Sequence, residues 1–177
     1  MKKNKCVIAF MIALICVLCF TSCGGSQEIS FQGFKMNIPS AWKADKVTLS
    51  EEYAIYEKLN AKGHDYRLLL NDTYGLLPKC SEGMKEAGAF FKEVTEDDAS
   101  YSDVSEPVAG KFAGKYDMHV LTCKYHAINP MEESGESVYP CKLVRIYMGD
   151  HDVEIEFCAA EGDFESFDEA IQTAVCE

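Results

Sequence analysis

The dipeptide Gly149-Asp150, set between two alternating apolar runs, constrains the fold of this chain more than any other feature. Glycine in the first central position suits a two-residue type II′ hairpin, whose twist matches that of the flanking strands. Centring the hairpin there sets Val144 opposite Ile155, Ile146 opposite Val153, Arg145 opposite Glu154 and Cys141 opposite Cys158. One face becomes apolar and the other carries an opposite-charge pair, so turn, periodicity and charge agree on one register. The preceding strand, residues 117–125, joins through the polar loop 127–137. A loop centred on Glu132 sets Val120 opposite Val144 and Cys123 opposite Cys141. Three cysteines then lie in a row across three strands.

The rest of the chain fits around that meander. Ile29 to Phe31 and Phe34 to Ile38 flank Gln32-Gly33, and Phe34, Met36 and Ile38 alternate with polar residues, as in a hairpin with one buried face. Two further strands, 53–59 and 66–70, surround 60–63. Residues 82–94 read as a helix capped by Ser81, with Met84, Ala87, Phe91 and Val94 on one stripe. A closing helix starts from a Ser166/Glu169 capping box and turns Phe167, Ala170, Ile171, Ala174 and Val175 inward. Hairpins, a helix, a meander and a terminal helix make an α+β domain with a mostly antiparallel sheet flanked by helices.

At the amino terminus Lys2, Lys3 and Lys5 precede an apolar run of 15 residues, Cys6 to Phe20. A positive start, a short apolar centre and a small-residue exit are the parts of a secretory signal, and the run is shorter than the roughly 20 residues of a membrane-spanning helix. Phe20-Thr21-Ser22-Cys23, followed by Gly24-Gly25-Ser26, resembles the lipobox of bacterial lipoproteins, with Phe20 where leucine is commoner. That resemblance implies cleavage before Cys23, a diacylglyceryl group on its sulfur and acylation of its freed amine; two or three chains hold a protein on a bilayer where one does not. The expected organisation is a signal peptide over 1–22, a lipidated cysteine and tether over 23–27, and one domain over 28–177. The expected location is the cell envelope, on the periplasmic or outer surface.

Cleavage leaves 155 residues, enough for one domain with a substantial core. Fourteen basic against 29 acidic residues give the mature chain a net charge of −15, which argues against nucleic acid and against lying flat on anionic lipid. Five cysteines remain beyond the anchor: Cys80, Cys123, Cys141, Cys158 and Cys176. Disulfides are permitted outside the cytoplasm, but an odd number leaves a thiol over. The register favours Cys141–Cys158, with Cys123 competing for Cys141. No C-x-x-C, H-E-x-x-H, G-x-S-x-G, phosphate-binding loop or calcium-loop pattern occurs. His151 between Asp150 and Asp152 is the one local cluster with ligand character, and it reads more simply as a solvated hairpin tip. Neither a catalytic residue nor a metal or other cofactor is assigned.

Ile38-Pro39-Ser40-Ala41-Trp42 after the opening hairpin, a middle helix, a long meander and the entry Asp163-Phe164-Glu165-Ser166-Phe167 into a last helix resemble the PsbP-like family. The resemblance covers about residues 28–176. It implies an α/β/α sandwich whose members mostly dock onto other proteins and share no catalytic centre; no binding residue carries over. The leading expectation is therefore a non-enzymatic envelope lipoprotein that binds an envelope protein or assists an envelope complex. An enzyme with an unrecognised site, such as a hydrolase, and a small-ligand or cation-binding lipoprotein are the alternatives.

Overall fold

The computed structural model describes residues 25–44, 53–60, 63–72, 83–130, 132–149 and 151–176; the signal segment, Cys23, Cys80, Ser81 and Asp150 lie outside them. The opening hairpin pairs β1 (Ser26–Phe31) with β2 (Phe34–Pro39). β1 begins at Ser26, so Ser26 and Gln27 belong to the sheet rather than to a tether. Gln27 Nε2 reaches across to donate to the carbonyls of Pro39 and Trp42. After β3 (Lys43–Ala44) come β4 (Tyr53–Asn60) and β5 (Gly63–Asp72), then helix α1 (Met84–Asp97). β6 (Tyr101–Ser102), β7 (Val108–Phe112), β8 (Tyr116–Ile128), β9 (Glu136–Tyr147) and β10 (Asp152–Ala159) follow, and the chain closes with α2 (Glu165–Gln172) and β11 (Val175–Cys176).

Every described strand pair is antiparallel. A large sheet runs β3-β4-β5-β10-β9-β8-β6, with β7 also along β8, and a small sheet runs β1-β2-β11. Both registers expected for the meander are present, including Cys141 opposite Cys158 and Cys123 opposite Cys141. Gly149 sits at φ 102, the left-handed backbone that a type II′ turn demands at that position, and Met148 N–H donates to His151 O at 3.0 Å. β5 lies along β10 on the side away from β9, so the two-strand hairpins of the sequence reading join into one sheet.

The large sheet has two unlike faces. One carries Leu68, Leu70, Val144, Ile146, Val153, Ile155 and Phe157 against α2 and the small sheet, and this is the main core. At its centre Phe157 stacks on Phe167 at 4.8 Å and on Trp42 at 5.1 Å, with Tyr66 at 5.8 Å and Phe164 at 6.0 Å. Trp42 is buried beneath the first hairpin, as its position after a strand-ending Pro-Ser implies. The other face is covered by α1, which packs over β6, β7 and β8; its core is smaller, built from Phe91, Leu121, Leu143 and the three aligned cysteines.

Two expectations for the last helix are corrected. Ser166 lies inside α2 and makes no capping box; Phe164 occupies the cap position and Asp163 Oδ1 accepts the Glu165 N–H at 3.0 Å. An aspartate one turn earlier satisfies the first free donor, so the serine is not needed there. Val175 is 54 % exposed rather than inward. The helix stops at Gln172, and Val175 pairs with Lys35 of β2 in extended form, out of helical phase.

In α1 the stripe of Ala87 and Phe91 is buried, with Met84 and Val94 half-buried beside it. Gly88 completes the face because a Cβ there would lie 2.7 Å from His119 Nε2. His119 cannot yield easily: it is 3 % exposed and its Nδ1 is 3.0 Å from the Tyr147 hydroxyl. Gly88→Ala should therefore lower stability by about 1–2 kcal/mol in chemical denaturation, overpacking outweighing the better helix propensity of alanine. A more stable variant would show that α1 does not seat on the imidazole.

Candidate functional site: a buried polar layer under α1

Alternation places the odd-numbered residues of β5, β8 and β9 and the even-numbered residues of β10 on the α1 side of the large sheet. That puts charge under the helix in two groups. The first is an ion-pair cluster: Arg67 of β5 pairs with Glu156 Oε1 of β10, and the Tyr101 hydroxyl of β6 donates to Glu156 Oε2 at 2.5 Å. Cys158 Sγ–H donates to the same Glu156 Oε1 at 3.7 Å. The Arg67 guanidinium also lies 5.4 Å from the Tyr125 ring centroid, within cation–π range. Glu156 is 4 % exposed, and Arg67, Tyr101 and Cys158 satisfy its two oxygens, as a buried carboxyl requires. Burial, and then the Glu156 charge, push the Tyr101 hydroxyl far above the ordinary phenol range, leaving it a fixed donor.

The second group surrounds Arg145, which is 2 % exposed. Glu154 stands directly opposite it in register, yet the guanidinium donates from Nε (3.2 Å) and Nη2 (2.8 Å) to Asp152 Oδ2. The diagonal aspartate lets two N–H groups share one oxygen. Arg145 also lies 5.8 Å from the Phe91 ring and 5.9 Å from that of Tyr147. Burial lowers the His119 pKa, with Asp117 opposing, so the imidazole under Gly88 is kept neutral.

Burial pushes Glu154 up to about 7, Arg145 offsetting part of the effect. The sign follows from the reference state. The unfolded carboxyl ionises near pH 4.3, while the folded one holds its proton to about pH 7. Stability is lost as pH rises through that window, and the cost is complete above it. Glu154→Gln should therefore match the parent near pH 4 and exceed it at pH 8 by on the order of 1–2 kcal/mol, the partial exposure of the site limiting the gain. Thermal melts of both proteins across pH 4–8 check this; a constant difference would remove Glu154 as the cause.

The aligned cysteines border the first group. Cys158 and Cys141 are thiols with sulfurs 3.5 Å apart, and Cys123 is a thiol on the other side of Cys141. Contact with the Cys123 and Cys158 thiols, together with burial, pushes the Cys141 thiol far up. A pocket of about 90 Å³ opens beside Cys158, lined by Arg67, Tyr125, Ala127 and Tyr139. Asp152, one of the two acids flanking His151 in the one local cluster with ligand character in the sequence, is committed to Arg145. Among the described residues no three His, Cys, Asp or Glu side chains are placed to hold a metal ion.

No family model matches the sequence, and no curated protein is similar to it. Solved structures are. The solution structure of the cyanobacterial PsbP, CyanoP, from Synechocystis sp. PCC 6803 superposes with a TM-score of 0.57 at 14 % identity, covering 88 % of this chain and 98 % of that one. The Ran-binding protein Mog1p of Saccharomyces cerevisiae superposes at 0.56 with 9 % identity, covering 86 % and 96 %. The chain has the PsbP/Mog1-like fold. PA94 of Pseudomonas aeruginosa, a protein of unknown function, matches at 0.51 with 10 % identity over 87 % of this chain and 99 % of that one. At such identity the likeness shows the fold alone. Sequence reasoning singled out the three cysteines and Arg145 but missed Arg67, Tyr101 and Glu156. Glu154 and Glu156 alternating with Cys158 on one face of β10 were the available signal.

Proposed function

We propose that this chain is an envelope lipoprotein, tethered through Cys23, whose PsbP/Mog1-like domain binds another envelope protein rather than catalysing a reaction. The observation that carries the reading is the internal pairing of the polar layer. Its charges are spent on one another, Arg67 with Glu156 and Arg145 with Asp152. A site for chemistry on a substrate needs titratable groups converging on an open pocket; here they hold sheet to helix. One protein of the same fold is named for binding a protein, Ran.

What the domain offers outward suits docking. At the loop end of the β8–β9 hairpin Ile128 is 92 % exposed and Val138 is 48 % exposed, diagonal neighbours on one face. Glu132, Glu133 and Glu136 stand exposed around them. An apolar pair inside an acidic rim fits a partner with a basic, partly apolar surface. Among the described residues no helix is long and apolar enough to cross a membrane. The proposed attachment is the lipid on Cys23.

The reading is tested by placing a photo-cross-linking amino acid at position 128, irradiating intact cells and capturing the chain through a tag. Reproducible recovery of one envelope protein in a discrete adduct is the expected result. No adduct from that position, nor with several diffusible cross-linkers, would count heavily against a binding role.

A further inference from the structure

Register brings four residues into one row on the α1 side of the large sheet: Cys123 on β8, Cys141 on β9, Cys158 on β10 and Arg67 on β5. Three thiols ending at a guanidinium is an arrangement that packing alone does not need. We propose that the row is a peroxide-responsive thiol site, in which Cys158 is oxidised through the pocket beside it and Cys141 closes the Cys141–Cys158 disulfide. Nothing in this depends on what the domain binds.

Three features of the geometry support it. First, the pocket reaches one sulfur of the row: it meets Cys158 and neither of the other two cysteines, while Cys141 is 0 % exposed and Cys123, 7 % exposed, lies outside it. Its volume of about 90 Å³ exceeds what one water needs and admits a peroxide, whereas a peptide disulfide such as glutathione is too large. Second, Cys158 has a cation and a proton acceptor beside it. Arg67 is its direct partner across the ladder, and Glu156 Oε1 accepts the Cys158 S–H at 3.7 Å. Third, the resolving sulfur is in place: Cys141 Sγ stands 3.5 Å from Cys158 Sγ, and directly opposed strand residues have Cα separations that a disulfide tolerates.

The steps balance with hydrogen peroxide as the oxidant. The Cys158 thiolate attacks one peroxide oxygen and the O–O bond breaks; the hydroxide leaving takes up the thiol proton as water, and Cys158 becomes a sulfenic acid. Cys141 sulfur then attacks the Cys158 sulfur, the S–O bond breaks, and the leaving hydroxyl departs as water with the Cys141 proton. Two thiols have lost two electrons and two protons, and one peroxide has become two waters. Cys123, on the far side of Cys141, remains a thiol.

The test uses the full-length chain purified in detergent, reduced, desalted and treated with hydrogen peroxide without denaturant. Free thiols are then alkylated and peptides mapped by mass spectrometry. The expected product is a Cys141–Cys158 cross-linked peptide, with Cys123 alkylated. In Cys141→Ser, a sulfenic-acid-specific dione should label Cys158. In Cys158→Ser, oxidation of Cys141 should be at least about tenfold slower, because the entry thiol is gone. Cys123→Ser should form the same disulfide at the parental rate and controls for the effect of removing a buried thiol. Mapping the parent requires no variant to fold. A parental product lacking the Cys141–Cys158 peptide, or Cys158→Ser oxidising Cys141 at the parental rate, overturns the proposal.

Discussion

Phe157→Ala should unfold at markedly lower denaturant than the parent, losing about 3–5 kcal/mol, the range for removing a fully buried phenylalanine. The ring is 0 % exposed and has aromatic neighbours from three separate parts of the chain: Trp42 after the first hairpin, Tyr66 on β5, and Phe164 and Phe167 at the start of α2. A truncated side chain would leave a void that none of them can fill from its own backbone. The loss includes the stacking contribution of each pair beyond plain burial. Because the site joins the hairpin and α2 to the large sheet, the denaturation should remain a single transition. Phe157→Leu, which keeps most of the volume, should lose much less. An alanine variant within 1 kcal/mol of the parent would mean that the two sides of the main core are not coupled through this ring.

Arg67→Met should cost nearly as much, for an electrostatic reason. The substitution keeps the length of the apolar stem and removes the cation, leaving the Glu156 carboxylate buried with only the neutral Tyr101 hydroxyl and Cys158 thiol beside it. Breaking one side of a buried pair costs about 3–5 kcal/mol; with the Arg67 side chain 18 % exposed, a value of about 2–4 is expected. The double variant Arg67→Met/Glu156→Gln removes the stranded charge and should recover at least half of the loss. If the double variant is no more stable than Arg67→Met, the penalty lies in lost packing of the arginine stem and not in the unpaired carboxylate.

How much of this was legible in the sequence depends on what fixes each contact. The β9–β10 pairing was readable to the residue because a two-residue turn permits one register and the apolar alternation agrees with it. The β8–β9 pairing followed with less constraint through a longer loop, yet Cys123 does stand opposite Cys141. The β5–β10 pairing was invisible: Arg67 and Glu156 are 89 residues apart, and no turn brings them together. With it went the ion-pair cluster, because Glu156 read alone is an ordinary polar strand residue. Short pieces such as β3, β6 and β11, two residues each, carry no period at all and exist only because longer strands offer them an edge. Local capping was misread at α2 because two acceptors, Asp163 and Ser166, lie within one turn of its start and pattern does not rank them.

Compartment, attachment and class of partner all rest on Cys23. Two expectations separate its role from that of the other cysteines. Cys23→Ala should accumulate as a slower-migrating precursor that keeps residues 1–22, while the thiols of β8, β9 and β10 are unaffected. The direct measurement is the mass of the amino-terminal peptide released from the parental chain in the membrane fraction. A peptide beginning at Cys23 and carrying a diacylglyceryl group is the predicted result. A peptide beginning at any other residue, or one with Cys23 unmodified, would contradict it.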